Sequence, residues 1–264
     1  MTRQPSLFVP HGGGPCFFMD DPAGIWTGME RFLASLPGSL PERPKAILVV
    51  SAHWETEGFA FTGARRPPLI YDYYGFPPHT YELRYDAPGA PELAERAANL
   101  LVSDGLAARI DPERGLDHGV FVPLKVALPD ADIPVVEMSV ALGYDPAVHL
   151  AAGRALAPLS DEGVLILGSG MSFHNMRAYG DRRSTEPSKE FDAWLTESVA
   201  LPGSARADRL THWDAAPQAR FAHPPAKEEH LLPLMVAAGA SDAGGTRIYS
   251  EMVVETAISG FRFH

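Results

Sequence analysis

Cysteine is almost missing from the chain: Cys16 is the only one in 264 residues. No intrachain disulfide can form, a reducing compartment fits, and any bound metal must be held by histidines and carboxylates. Positive charge is also scarce. With 22 Lys and Arg against 33 Asp and Glu, the formal net charge is -11, which argues against a nonspecific nucleic-acid surface or an anionic-membrane surface. No apolar run approaches the roughly 20 residues that span a bilayer, and the N-terminus lacks a charged-then-apolar export signal. A cytoplasmic enzyme without a membrane partner is the expectation. Also absent are a His-Glu-x-x-His helix, a cysteine finger, an EF-hand loop, a P-loop and a dinucleotide fingerprint. There is no low-complexity tract or internal repeat.

What is present is 45% hydrophobic, enough for one sizeable core, and residues 1–264 are expected to form a single domain. The 25 prolines and 24 glycines punctuate short apolar runs, a pattern of many loops between regular elements. Residues 46–54, Ala-Ile-Leu-Val-Val-Ser-Ala-His-Trp, read as a buried central strand with His53 at its C-terminal end. Further strands are predicted at 6–9, 59–62, 133–138 and 164–167, the last breaking into Gly168-Ser169-Gly170. A final, partly exposed edge strand is expected over 248–255. Helical spacing marks 25–36, 91–104, 120–128, 146–159, 189–199 and 231–238, while the polar, basic stretch 176–188 reads as a loop. The fold class is therefore α/β, a mostly parallel or mixed sheet flanked by helices. In such sheets ligands bind at the C-terminal ends of the strands.

Histidines arrive repeatedly at that edge. His11 follows the first strand on a triple-glycine turn, His53 ends the second, His118 sits between Asp117 and Gly119 before a helix, His174 trails the Gly168-Ser169-Gly170 break, and His230 precedes an apolar helix. Imidazoles from separate loops can share one metal without any short-spaced motif. Asp117 is a neighbour that could orient His118, although adjacent side chains often point apart. His149 lies inside a helix and reads as a packing or surface residue, and His223 is an unassigned pocket candidate. The aromatic and proline-rich stretch 71–79 could wall a pocket for a planar substrate. A Ser-His-Asp hydrolase is disfavoured, because Gly168-Ser169-Gly170 is not a Gly-x-Ser-x-Gly elbow.

Five motifs, in order along nearly the whole chain, carry a resemblance. Pro10-His11-Gly12-Gly13-Gly14-Pro15, Ser51-Ala52-His53-Trp54, Asp117-His118-Gly119-Val120, Gly168-Ser169-Gly170 with His174-Asn175, and Glu229-His230-Leu231-Leu232-Pro233-Leu234 together resemble the class III extradiol ring-cleaving dioxygenases, and within them the DOPA extradiol dioxygenase branch. The loop Tyr73-Tyr74-Gly75-Phe76-Pro77 is similar to that branch as well. The resemblance implies metal ligation by His11, His53 and His230, with His118 and His174 binding substrate hydroxyls or oxygen and moving protons. It implies Fe(II) as the working metal, with Zn(II) able to fill the same site, and a small catecholic substrate opened with O2 to a semialdehyde.

Protocatechuate-cleaving relatives use a carboxylate as third ligand, so Glu228 and Glu229 compete with His230 for that place. The triple glycine departs from the usual His-Gly-Ser/Thr-Pro turn. Arg177, Arg182 and Arg183 could attract a substrate carboxylate, or simply form an exposed basic loop. Two other readings remain open, a zinc-dependent hydrolase and a non-catalytic metal- or partner-binding member of the same fold.

Overall fold

The structure is a computed structural model describing residues 2–264. Its strands are β1 (Ser6–Pro10), β2 (Ala46–Thr56), β3 (Phe59–Thr62), β4 (Ala108–Asp111), β5 (Val135–Ala141), β6 (Val164–Gly170), β7 (Thr246–Val253) and β8 (Thr256–Phe263). Its helices are α1 (Thr27–Ser39), α2 (Pro91–Ser103), α3 (His118–Ala127), α4 (Pro146–Leu156), α5 (Pro158–Asp161), α6 (Thr185–Ala200), α7 (Gly203–Thr211), α8 (Ala219–Ala222) and α9 (Leu232–Gly239).

The strands form one mixed sheet in the order β4-β3-β5-β2-β6-β1-β8-β7. The inner four, β5, β2, β6 and β1, are parallel, and antiparallel contacts join β3 to β5 and β8 to both β1 and β7. The inner strands are almost continuously buried because helices cover both faces. Alternation decides which helix meets which residues. Ser6 sends its hydroxyl to the Ala237 carbonyl of α9 at 2.7 Å, whereas Leu7, Val9, Leu165 and Leu167 face α1 and α3. Registers Val9↔Ser169 and Ser51↔Ser169 bring the C-terminal ends of β1 and β6 level with Ser51 of β2.

Several expectations need correction. His53 does not end its strand, which continues to Thr56. Between the pairs Val50↔Met138 and Glu55↔Val140, five steps along β2 match two along β5, so His53 lies in a bulge that re-aims its side chain. The partly exposed edge strand expected over 248–255 is β7, two residues earlier, but it is one arm of a hairpin and not the final strand. β7 ends at Val253, Val254 and Glu255 turn with φ of 48° and 65°, and β8 returns as a buried strand beside β1. Such a turn lacks the Asn-Gly or Asp-Gly signal, and β8 lacks alternation, which is why it escaped detection. The loop expected over 176–188 also yields early, since α6 begins at Thr185 with Pro187 tolerated in its first turn.

Candidate metal centre

Two glycines allow the backbone to close around the parallel strand ends. A Cβ on Gly170 would lie 2.2 Å from the His230 carbonyl oxygen, and that carbonyl accepts the Met171 N–H at 3.0 Å. The turn before α9 can therefore press His230 against the end of β6. A Cβ on Gly119 would come within 2.8 Å of Ser51 Oγ and 2.9 Å of His53 Cδ2. Glycine at the start of α3 makes room for the bulged histidine.

His11 is the first residue past β1, and its N–H donates to the Gly170 carbonyl. Its Nδ1 lies 3.1 Å from Ser169 Oγ, and that hydroxyl donates its one proton to the Gly119 carbonyl. His11 must then be protonated on Nδ1, leaving the Nε2 lone pair directed at the centre. His230 follows the same logic, because its Nδ1–H donates to Glu229 Oε1 at 3.0 Å. His53 turns Nδ1 toward Asp72 Oδ2 at 3.7 Å and brings Nε2 within 3.1 Å of His11 Nε2.

One nitrogen from each of His11, His53 and His230 lies within 4.8 Å of the others. Metal–nitrogen bonds of about 2.0–2.1 Å at right or tetrahedral angles hold neighbouring nitrogens roughly 2.9–3.4 Å apart, so the observed 3.1 Å fits a shared ion. Burial, then the other histidines, pushes His11 and His230 well below the ordinary imidazole range. Burial, then His118, lowers His53 to about 4. All three are neutral donors at pH 7, as metal ligation requires.

Two further histidines face the same point. His118 opens α3, its ring centroid 3.9 Å from that of His53. The orienting carboxylate is not Asp117, which accepts from Ser51 and Arg114 and donates its own N–H to buried Glu137. It is Asp72, whose Oδ1 accepts both the His118 backbone N–H at 2.9 Å and Nδ1–H at 2.8 Å. Burial works to raise the Asp72 pKa, but the hydrogen bonds and charge of His118 prevail and lower it. His174 stacks on His230 with centroids 3.4 Å apart and an interplanar angle of 16°. Burial, then His223 and His53, lowers it to about 3. Its Nδ1 has no hydrogen-bond partner among the described residues, and Glu229 Oε1 stands off at 3.6 Å.

The five histidines singled out in the sequence thus come together, and others do not join them. Buried His149 accepts the Ala141 N–H at Nε2 and donates from Nδ1 to the Asp145 carbonyl, so it is a fully satisfied packing residue. His223 is enclosed by the rings of Phe191 and Trp213 and bonds the Ser172 carbonyl. Arg177, Arg182 and Arg183 are exposed, Arg183 being paired to Asp181. In the aromatic loop, Tyr73 is buried and edge-on to His118 at 5.7 Å, its hydroxyl donating to the Thr80 carbonyl at 2.6 Å. Phe76 packs on Gly14. Sequence reasoning missed Asp72 as a functional residue. Its only signal was an acid inside the aromatic motif, 46 positions from the histidine it holds.

A helix-covered mixed sheet that gathers three neutral histidines at its parallel strand ends, with two more facing them, defines an α/β protein with a candidate mononuclear metal centre. Comparison with known proteins narrows this. Residues 9–261 match the family described as the catalytic LigB subunit of aromatic ring-opening dioxygenase. A dioxygenase, tasH, of Hapsidospora irregularis is 41% identical over 261 residues, covering 91% of this chain and 79% of the relative. The 4,5-DOPA dioxygenase extradiol of Portulaca grandiflora is 38% identical over 97% of this chain and 92% of its own length, and that of Escherichia coli K12 is 36% identical over 91% and 86%. The crystal structure of an uncharacterized Escherichia coli K12 protein, JW3007, superposes with a TM-score of 0.79 at 28% identity, covering 99% of this chain and all of that one. The chain belongs to the LigB family and is an extradiol-type ring-cleaving dioxygenase, an oxidoreductase. Among the described residues no helix is long and apolar enough to cross a membrane.

Proposed function

We propose that residues 1–264 act as one catalytic domain that uses Fe(II) and O2 to open a small catecholic ring beside its diol, giving a semialdehyde. The single observation carrying this reading is the 3.1 Å approach of His11 Nε2 and His53 Nε2, with His230 completing a neutral trio. Names of relatives that act on DOPA support a catechol as the substrate class.

In this reading His11, His53 and His230 hold the metal. Ferrous iron held by these three histidines would supply a redox-active ion able to activate a catechol and dioxygen together. The remaining steps belong to the chain. His174, which burial keeps neutral, is the base in this reading and takes a proton from a catechol hydroxyl. His118 presents Nε2 toward the reacting oxygen, its ring fixed from behind by Asp72. Tyr73 and Phe76 form an apolar wall that orients the ring. The lone cysteine and the need to keep iron ferrous fit a cytoplasmic location.

The test is oxygen uptake by metal-stripped protein reloaded anaerobically with Fe(II) or Zn(II) and given a panel of catechols. Uptake equimolar with substrate and a semialdehyde chromophore, with iron alone, are expected. Equal turnover with zinc and no oxygen consumption would instead mark a hydrolase, and metal binding without any turnover a non-catalytic member.

A further inference from the structure

The face of the sheet under α1 and α3 contains an apolar cavity with room of about 20 Å³ for the centre of a water-sized sphere. Its lining is made of Leu, Val, Pro and Ala residues throughout. A space of this size exceeds the ~10–15 Å³ needed for one such sphere, but without two to four polar partners it does not hold water; apolar cavities stay dry and take up apolar guests such as xenon. It is also far below the ~300 Å³ of an ordinary ligand pocket. A catechol cannot enter, and a diatomic gas can.

Of the four elements that bound the cavity, β1, β6 and α3 also lead to the histidine centre. Val9 lines it, and His11 follows two residues later, just past the end of β1. Leu165 and Leu167 line it, and Ser169, the next residue on that face of β6, bonds His11. Pro123 and Ala127 of α3 roof it, and His118 begins that helix. The step from Val9 to His11 is roughly 7 Å at strand rise. At the other end Pro37, Leu40 and Leu128 are only half-buried, near the N-terminal ends of the strands and roughly 13 Å along β6 from Ser169.

We propose that this cavity is a dioxygen site, an apolar antechamber that feeds the histidine centre along β1 and β6 from beneath α3, with no residue of the aromatic loop in its lining. It rests on the dioxygenase reading and adds to it a separate entry for the gas. Dioxygen, being apolar, partitions from water into such a space, while the aromatic substrate approaches past Tyr73 and Phe76.

Crystals of the protein pressurised with xenon are expected to show one xenon atom between Leu36, Leu167 and Ala127. Ala127→Leu fills the space and is expected to abolish that peak and raise the KM for O2 on the order of threefold, leaving the catechol KM and the kcat at saturating O2 unchanged. Leu128→Phe at the half-buried rim gives the same comparison should the first variant not fold. Absence of xenon from the wild-type cavity overturns the proposal, as does an unchanged KM for O2 in a variant that has lost its xenon. If iron-loaded wild type takes up no oxygen with any catechol, the dioxygenase reading falls first and the gas role with it, even where xenon binds.

Discussion

The metal centre has two halves built from the same parts and wired in opposite ways. On one side stand His53, Asp72 and His118, on the other His230, Glu229 and His174, each a candidate ligand, a carboxylate and a candidate proton-handling imidazole. Asp72 bonds the proton-handling histidine at 2.8 Å and stays 3.7 Å from the ligand. Glu229 does the reverse, bonding the ligand at 3.0 Å and staying 3.6 Å from His174. The environments diverge accordingly: partnership with His118 lowers the Asp72 pKa, while burial raises that of Glu229. The difference separates tasks. His118, held at Nδ1 by Asp72, handles a proton only through Nε2 at a fixed aim, whereas no hydrogen bond fixes the ring of His174 at Nδ1.

The largest effect should come from removing a ligand on either side. His53→Ala and His230→Ala are both expected to lose metal and all measurable turnover, by metal analysis of the purified variants and oxygen uptake. Retention of stoichiometric iron in either would break the pairing of halves. Next, His174→Ala and His118→Ala should keep the metal and lose on the order of 10²–10⁴ in kcat, the usual weight of one general acid or base. Metal loss in these variants equal to that in His53→Ala would dissolve the division between holding and proton transfer.

The carboxylates sharpen the comparison further. Asp72→Asn is expected to lower kcat by about 10–100-fold with iron retained, because its amide cannot hold the His118 Nδ1–H and backbone N–H as a charge does. Glu229→Gln is expected to weaken iron affinity by about tenfold at little cost to kcat in excess metal, since the amide oxygen still accepts from His230. Iron titrations followed by kcat at saturating iron separate the two. A swap of these phenotypes would mean that the wiring seen in the hydrogen bonds does not govern the chemistry.

Most of the frame was readable from the chain. Ala46–Val50 and Val164–Leu167 announce buried parallel strands by composition, and the five histidines mark their edge because strand ends converge there whatever the loops do. What could not be read depends on long-range geometry. The bulge that aims His53 is a mismatch between β2 and β5, visible only once both are paired. Asp72 reaches His118 across a loop, whereas the adjacent Asp117 turns into a buried network with Arg114 and Glu137. Gly168 and Gly170 looked like a strand break and are instead part of β6, bare so that Pro233 and His230 can approach. β8 escapes a reading of the sequence because an almost continuously buried strand after a Val-Glu turn carries neither alternation nor a turn signal.

The smallest effect concerns a histidine outside both halves, and it isolates what burial alone does. His149 is fully buried, with both ring nitrogens satisfied in the neutral state, and burial, against the weaker pull of Asp145, lowers its pKa from 6.5 to about 4. Between those values the unfolded chain binds a proton that the native one refuses. Stability is therefore full above about pH 6.5 and declines as pH falls toward 4, by about 3 kcal/mol for a single group with this shift. His149→Gln keeps an acceptor for the Ala141 N–H and removes the titration. It should leave kcat and iron content at pH 7 nearly unchanged while flattening the acid slope of urea-unfolding stability by one proton's worth. If the slope of the metal-free variant matches wild type, the acid sensitivity originates in the histidine cluster itself, and burial away from the centre contributes nothing to it.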